Sequence, residues 1–200
     1  MTAVSSDIGT VEDKRKPVGG GHRPGESSMW FFVIGDLLIF GFYFVVYMYY
    51  RGENHQLFLD SQAKLNTDIG AINTVVLLTS SLFVALGVSA ARSGKIGDAH
   101  LLLRLAFGCG AIFPVLKAFE YIPEVLAGIT PGTNLFYMFY FVMTGMHLCH
   151  VFLGLAILFF LIRNVRGSRP RITLLETGAT YWHMVDLLWI VLFALLYLMR

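Results

Sequence analysis

Five stretches of about 20 apolar residues recur along this chain, each long enough to carry a helix through the hydrocarbon core of a bilayer. They cover residues 29–50, 69–91, 101–119, 135–162 and 180–199. A backbone in lipid must satisfy its own N–H and C=O groups, so each stretch is expected to be α-helical. The predicted fold is an all-α polytopic membrane bundle of five transmembrane helices. Composition agrees, because 56% of the 200 residues are hydrophobic and only 14% are charged, which excludes an ordinary soluble domain. Net charge is +2 and the basic residues are dispersed, leaving no stripe for nucleic acid. Cys109 and Cys149 fall inside apolar runs and read as small buried thiols, with neither a disulfide framework nor a metal knuckle suggested.

Residues 1–28 carry Ser5-Ser6, the run Glu12-Asp13-Lys14-Arg15-Lys16 and Gly19-Gly20-Gly21, with no apolar core before Met29. They read as a flexible cytoplasmic tail and not as a cleaved signal, leaving 29–200 as one membrane domain. Of the 15 Lys and Arg residues, 11 fall in the tail, the second connection (Arg92, Lys95, Arg104) and the fourth (Arg163, Arg166, Arg169, Arg171). Arg51, Lys64, Lys117 and Arg200 fall on the opposite side. That asymmetry places the N-terminus in the cytoplasm and the C-terminus outside. The run from Phe42 through Tyr43, Phe44, Tyr47, Tyr49 and Tyr50 reads as an aromatic belt at the outer end of the first helix.

Some packing is also legible. The fourth stretch exceeds what a bilayer needs, which implies tilt or a solvent-exposed first turn. Pro114 removes one backbone hydrogen bond inside the third. Ser81, Ala85 and Ser89 form a small-residue ridge expected to admit a neighbouring helix.

Polar residues within the apolar stretches narrow the function. Tyr181-Trp182-His183-Met184-Val185-Asp186 puts a histidine and an aspartate three apart, on one helix face. Neither suits lipid, so both are expected to face protein or trapped water. Asp36 lies about two turns into the first helix, placed either to relay a proton or to bridge to another helix. His147 and His150, with His183, admit a haem or copper reading, since neutral imidazole is the commonest metal ligand. Helix-to-helix hydrogen bonds fit them better, because a redox centre usually brings more ligands. Glu120 and Glu124 are expected at the interface. No nucleophile elbow, phosphate loop, zinc-protease helix or Cys-x-x-Cys pair occurs. No catalytic, metal or cofactor-binding residue is therefore assigned.

Three ordered segments now carry a resemblance. Glu176 followed by Tyr181-Trp182-His183-Met184-Val185-Asp186-Leu187-Leu188-Trp189, the segment Thr144-Gly145-Met146-His147-Leu148-Cys149-His150-Val151, and the pair Glu120-Tyr121 resemble signatures of subunit III of the haem-copper respiratory oxidases. The resemblance extends from Met29 to Arg200 and implies a five-helix version lacking two helices of the longer form. It implies a chain that holds no haem or copper of its own and binds phospholipid in a cleft. Such a chain packs on subunit I, with subunit II, in a cell inner-membrane complex, and supports proton uptake and durability there. Asp36 matches by position the family's buried carboxylate, usually glutamate, and is one methylene shorter. Leu148 stands where the family has glycine and Met146 where it has phenylalanine, which alters a close helix approach.

Pro24-Gly25-Glu26, Gly35-Asp36 and Asn73-Thr74 through Ser80-Ser81 look more like the branch associated with nitric oxide reductase, often called NorE-like. An accessory subunit of a terminal oxidase is the leading expectation. A nitric oxide reductase auxiliary and a quinol oxidase subunit III are the alternatives within the fold. A transporter or di-haem cytochrome built on Asp36, His147, His150, His183 and Asp186 is the alternative outside it, and the lack of inverted repeats argues against the transporter.

Overall fold

A computed structural model describes residues 27–167 and 171–199. The segment read as a tail lies outside the described residues, except that helix α1 already begins within it, at Ser27. The helices are α1 (Ser27–Glu53), α2 (His55–Gln62), α3 (Thr67–Arg92), α4 (Ile96–Leu126), α5 (Leu135–Val165) and α6 (Ile172–Phe193), the last continued by a π-helical turn over Ala194–Leu198. Five of them are long and apolar enough to cross a membrane.

Local chemistry sets the ends. The Asn66 side chain accepts the Asp68 and Ile69 N–H groups to start α3, and Asn134 accepts Tyr137 N–H to start α5. Gly94 at φ 76° and Gly128 at φ 80° supply the left-handed residues that follow α3 and α4. Pro114 and Pro123 both sit within a continuous α4.

Helix α6 is the hub. Of its most apolar window 61% is buried, against 11% for α1, which lies at the edge of the bundle. The most extensive packing joins α3 to α4, and α6 lies against both α3 and α5. Tyr47 and Arg51 near the end of α1 bond to carbonyls of Leu195 and Met199, while Met29 at its start shares a groove with Leu174 and Thr177. Helices α1 and α6 therefore run parallel, and the first and last described residues lie at opposite ends.

The structure corrects several expectations. The last helix starts at Ile172, not near residue 180, because Thr173, Glu176 and Thr177 lower the local hydropathy without breaking the helix. Helix α4 likewise extends beyond 101–119 at both ends. The short α2 was not legible; it buries Phe58 and covers one end of the bundle. The first turn of α5 is not solvent-exposed, since Phe136 packs on Phe58. On the expected small-residue ridge only Ser81 is buried, with Ala85 and Ser89 facing outward. The close approach of α3 to α4 occurs instead at Gly87, against Leu103. Tyr47 leaves the aromatic belt for the core, drawn in by the Leu195 carbonyl. Cys149 is exposed and Cys109 half-buried, so neither is a core thiol.

Candidate functional site

The polar residues inside the bundle form four groups at different heights. At the α1 and α6 ends, Lys117 and Glu120 are one helical turn apart on α4, so their side chains meet. Both are buried, with Lys117 Nζ 2.9 Å from Glu120 Oε2. Lys117 also donates to Tyr197 Oη at 2.7 Å, while Tyr197 and Tyr140 donate to Glu120 Oε1 at 2.5 and 3.0 Å. The ammonium lies 4.9–5.6 Å from the ring centres of Trp189, Tyr140, Tyr197 and Tyr121, a cation–π cage. Tyr121 and Thr144 bond through their hydroxyls beside it.

Glu120 is thus not interfacial, and Lys117 is not a loop charge. A charge removed from water this completely is tolerated only when paired and hydrogen-bonded, which this cluster achieves. A Lys and a Glu three apart in an apolar helix is the signal the sequence offers, but their place near the end of the apolar stretch points each to the boundary. At the same end Arg51, also buried, donates to Gln62 Oε1 and to the Met199 carbonyl at 2.6 Å, closing the C-terminal turn.

One level further in, His147 is fully buried between the Phe113 and Trp189 rings, with centroids at 5.4 and 5.3 Å. Its two ring nitrogens have no hydrogen-bond partner among the described residues, so the expected helix-to-helix bond is not formed there. Trp189 Nε1 donates to Thr74 on α3. His183 and Asp186 share a side of α6, yet His183 Nδ1 bonds Ser81 Oγ at 2.5 Å and not the aspartate. Ser81 also faces Asp186, whose Oδ1 is unpartnered. His183 is exposed and Asp186 buried, so Ser81 is the bridge that the sequence could not supply.

Trp182 is held by two notches. A Cβ on Gly110 would stand 2.7 Å from its ring, and one on Gly154 would also stand 2.7 Å away, on the other edge. The close approach of α5 to α6 therefore uses Gly154, away from the position where Leu148 stands for the family glycine.

His150 forms the third group. Its Nε2 lies 3.5 Å from Asp36 Oδ1, joining α5 to the edge helix α1, and its Nδ1 bonds the Met146 carbonyl. At the far end Arg92 donates twice to Glu176 Oε1, at 2.9 and 2.7 Å, tying α3 to the start of α6.

His147, His150 and His183 thus point to three different environments. Among the described residues no group of three His, Cys, Asp or Glu side chains gathers to hold a metal. What the arrangement does is fasten helices in pairs: α4 to α5 and α6 at Glu120, α3 to α6 at Ser81 and Arg92, and α1 to α5 at Asp36.

Comparison with known proteins supplies the context. Residues 25–200 match the profile described as "Cytochrome c oxidase subunit III". Cytochrome c oxidase subunit 3 of Thermostichus vulcanus is 28% identical over 200 residues, covering 96% of this chain and 98% of the relative. Cytochrome bo(3) ubiquinol oxidase subunit 3 of Buchnera aphidicola subsp. Acyrthosiphon pisum is 26% identical over 174 residues, covering 86% and 84%. The heme-copper oxidase subunit I+III of Aeropyrum pernix is 28% identical over 187 residues, covering 86% of this chain and 22% of that longer protein. Five spans, the buried motif residues and a match over nearly the whole length agree, and the chain belongs to the cytochrome c oxidase subunit III family.

Proposed function

We propose that this chain is the non-redox accessory subunit of a haem-copper terminal oxidase, packed on the catalytic subunit I with subunit II, in the cell inner membrane. The observation that carries the partnership is the Aeropyrum pernix relative, whose name joins subunits I and III in one chain. Relatives named for cytochrome c and for ubiquinol oxidases both match, so the proposal is made for the oxidase and leaves the donor to experiment.

Two finer roles belong to the same reading. Structural phospholipid would sit in the apolar groove between α1, α5 and α6, where Met29, Ile157, Phe160, Leu174 and Gly178 offer space for an acyl chain. Proton uptake would involve Asp36, which is partly exposed beside His150. The orientation with the N-terminus inside gains support from the burial of Arg51 and Lys117. Without them, exposed Lys64 is the remaining described Lys or Arg at the proposed outer end.

The test is affinity purification of the tagged chain from its native membrane in mild detergent, with identification of what accompanies it and a haem spectrum. Subunits I and II with a-type or o-type haem support the proposal, and the haem type separates the donor classes. Recovery with nitric oxide reductase subunits, or alone and colourless, overturns it.

A further inference from the structure

Six side-chain atoms buried in the middle of the bundle have no hydrogen-bond partner among the described residues: Oδ1 and Nδ2 of Asn73, both ring nitrogens of His147, Nε1 of Trp182 and Oδ1 of Asp186. They lie along about two turns of α6, or about 10 Å at 1.5 Å per residue. His147 lies against the Trp189 ring, and Thr74, next to Asn73, accepts from Trp189 Nε1. Asp186 is about one turn before Trp189 and Trp182 about one turn before that. A seventh group joins them. Pro114 has no N–H to return to the Gly110 carbonyl, and buried Gly110 packs against the Trp182 ring.

The set mixes donors and acceptors. Trp182 only donates, Asp186 as a carboxylate and the Gly110 carbonyl only accept, and Asn73 and a neutral His147 do both. No ion or apolar molecule answers such a mixture. Water does, and buried polar groups left over by the protein are ordinarily completed by ordered water.

We propose that the bundle binds a small cluster of internal water between α3, α4, α5 and α6, held by Asn73, His147, Trp182, Asp186 and the Gly110 carbonyl. The cluster continues the polar groups that begin at Lys117 and Glu120 and end at the Ser81–His183 contact. Together they make a polar seam spanning about 22 Å of α6 at 1.5 Å per residue, from Trp182 to Tyr197, with the water confined to the unpartnered groups. The inference stands apart from the oxidase reading, since it concerns this chain's own core.

Radiolytic hydroxyl labelling of the full chain in lipid nanodiscs, with whatever subunits purify with it, tests the proposal. Bound water generates hydroxyl radical in place. After correction for intrinsic reactivity, His147, Trp182 and Trp189 should label several-fold faster than Phe58 and Phe136, which are equally buried but pack on one another. Label from a brief pulse of heavy-oxygen water should reach them later than it reaches exposed Tyr49. His147→Phe should lower labelling of Trp182 and Trp189. Wild-type rates no faster than those of Phe58 and Phe136 overturn the proposal. Fast labelling that His147→Phe leaves unchanged, or heavy oxygen arriving as early as at Tyr49, overturns it too.

Discussion

Replacing Gly110 with alanine adds one methyl group where α4 packs closely on the Trp182 ring of α6. The new Cβ would lie 2.7 Å from Trp182 Cη2 and Cζ2 and 3.2 Å from Leu155 Cδ2. Trp182 cannot swing clear, because its Cε3 and Cζ3 edge already lies 2.7–2.8 Å from where a Cβ on Gly154 would be. The ring is 1% exposed. Overpacking a close-fitted core costs about 1–3 kcal/mol. Alanine in a helix interior returns about 0.5–1 kcal/mol relative to glycine. The expected net effect is a loss of about 1–2 kcal/mol. Gly108 is the control, two positions earlier on α4, with nothing within 4 Å of its Cβ position. Gly108→Ala should therefore be neutral or stabilising by about 0.5–1 kcal/mol. Unfolding in mixed micelles by a titrated denaturing detergent, followed by tryptophan fluorescence, measures both. Equal stability of the two alanine variants would refute the argument that α4 and α6 meet through a glycine notch. Gly110→Ala combined with Gly154→Ala squeezes the same ring from two edges, so the double variant should depart from additivity.

Lys117→Met strands the Glu120 carboxylate in the core and should cost about 3–5 kcal/mol, whereas Lys117→Met with Glu120→Gln should recover most of it; the same unfolding titration compares them, and an undamaged single variant contradicts the pairing. Arg92→Ala removes two bonds to Glu176 from a half-exposed guanidinium, so a loss of only about 1 kcal/mol is expected. Arg51→Ala frees the Met199 carbonyl; hydrogen exchange should speed up in the last turn of the bundle and stay unchanged in α3. Asp36→Asn should leave assembly with partner subunits intact and lower turnover of the complex several-fold, and unchanged turnover across pH would assign Asp36 to structure alone.

The comparison between sequence and structure divides by distance along the chain. The apolar stretches made five helices unavoidable, since a backbone in lipid has no other way to satisfy itself. Local spacing also suffices for motifs: Trp182, His183 and Asp186 share one helix, and Glu120-Tyr121, His147 and the last helix carry the family resemblance in sequence alone. What spacing cannot report is which side of a helix another helix covers. The moments of these helices are weak because lipid and core are both apolar, so hydrophobicity does not mark the buried face as it does in water.

Tertiary structure alone therefore decided that Lys117 and Glu120 turn inward to Tyr140 and Tyr197, that His183 finds Ser81 and not Asp186, and that Asp36 reaches His150. It also decided that Tyr47 is core and Cys149 is surface. The sequence by itself determined the five spanning helices and the family to which they belong. Only the packing of α3, α4 and α5 around α6 determined which polar side chains are partnered and which, like Asn73 and His147, are buried without a partner among the described residues, because most of those contacts join residues from different helices.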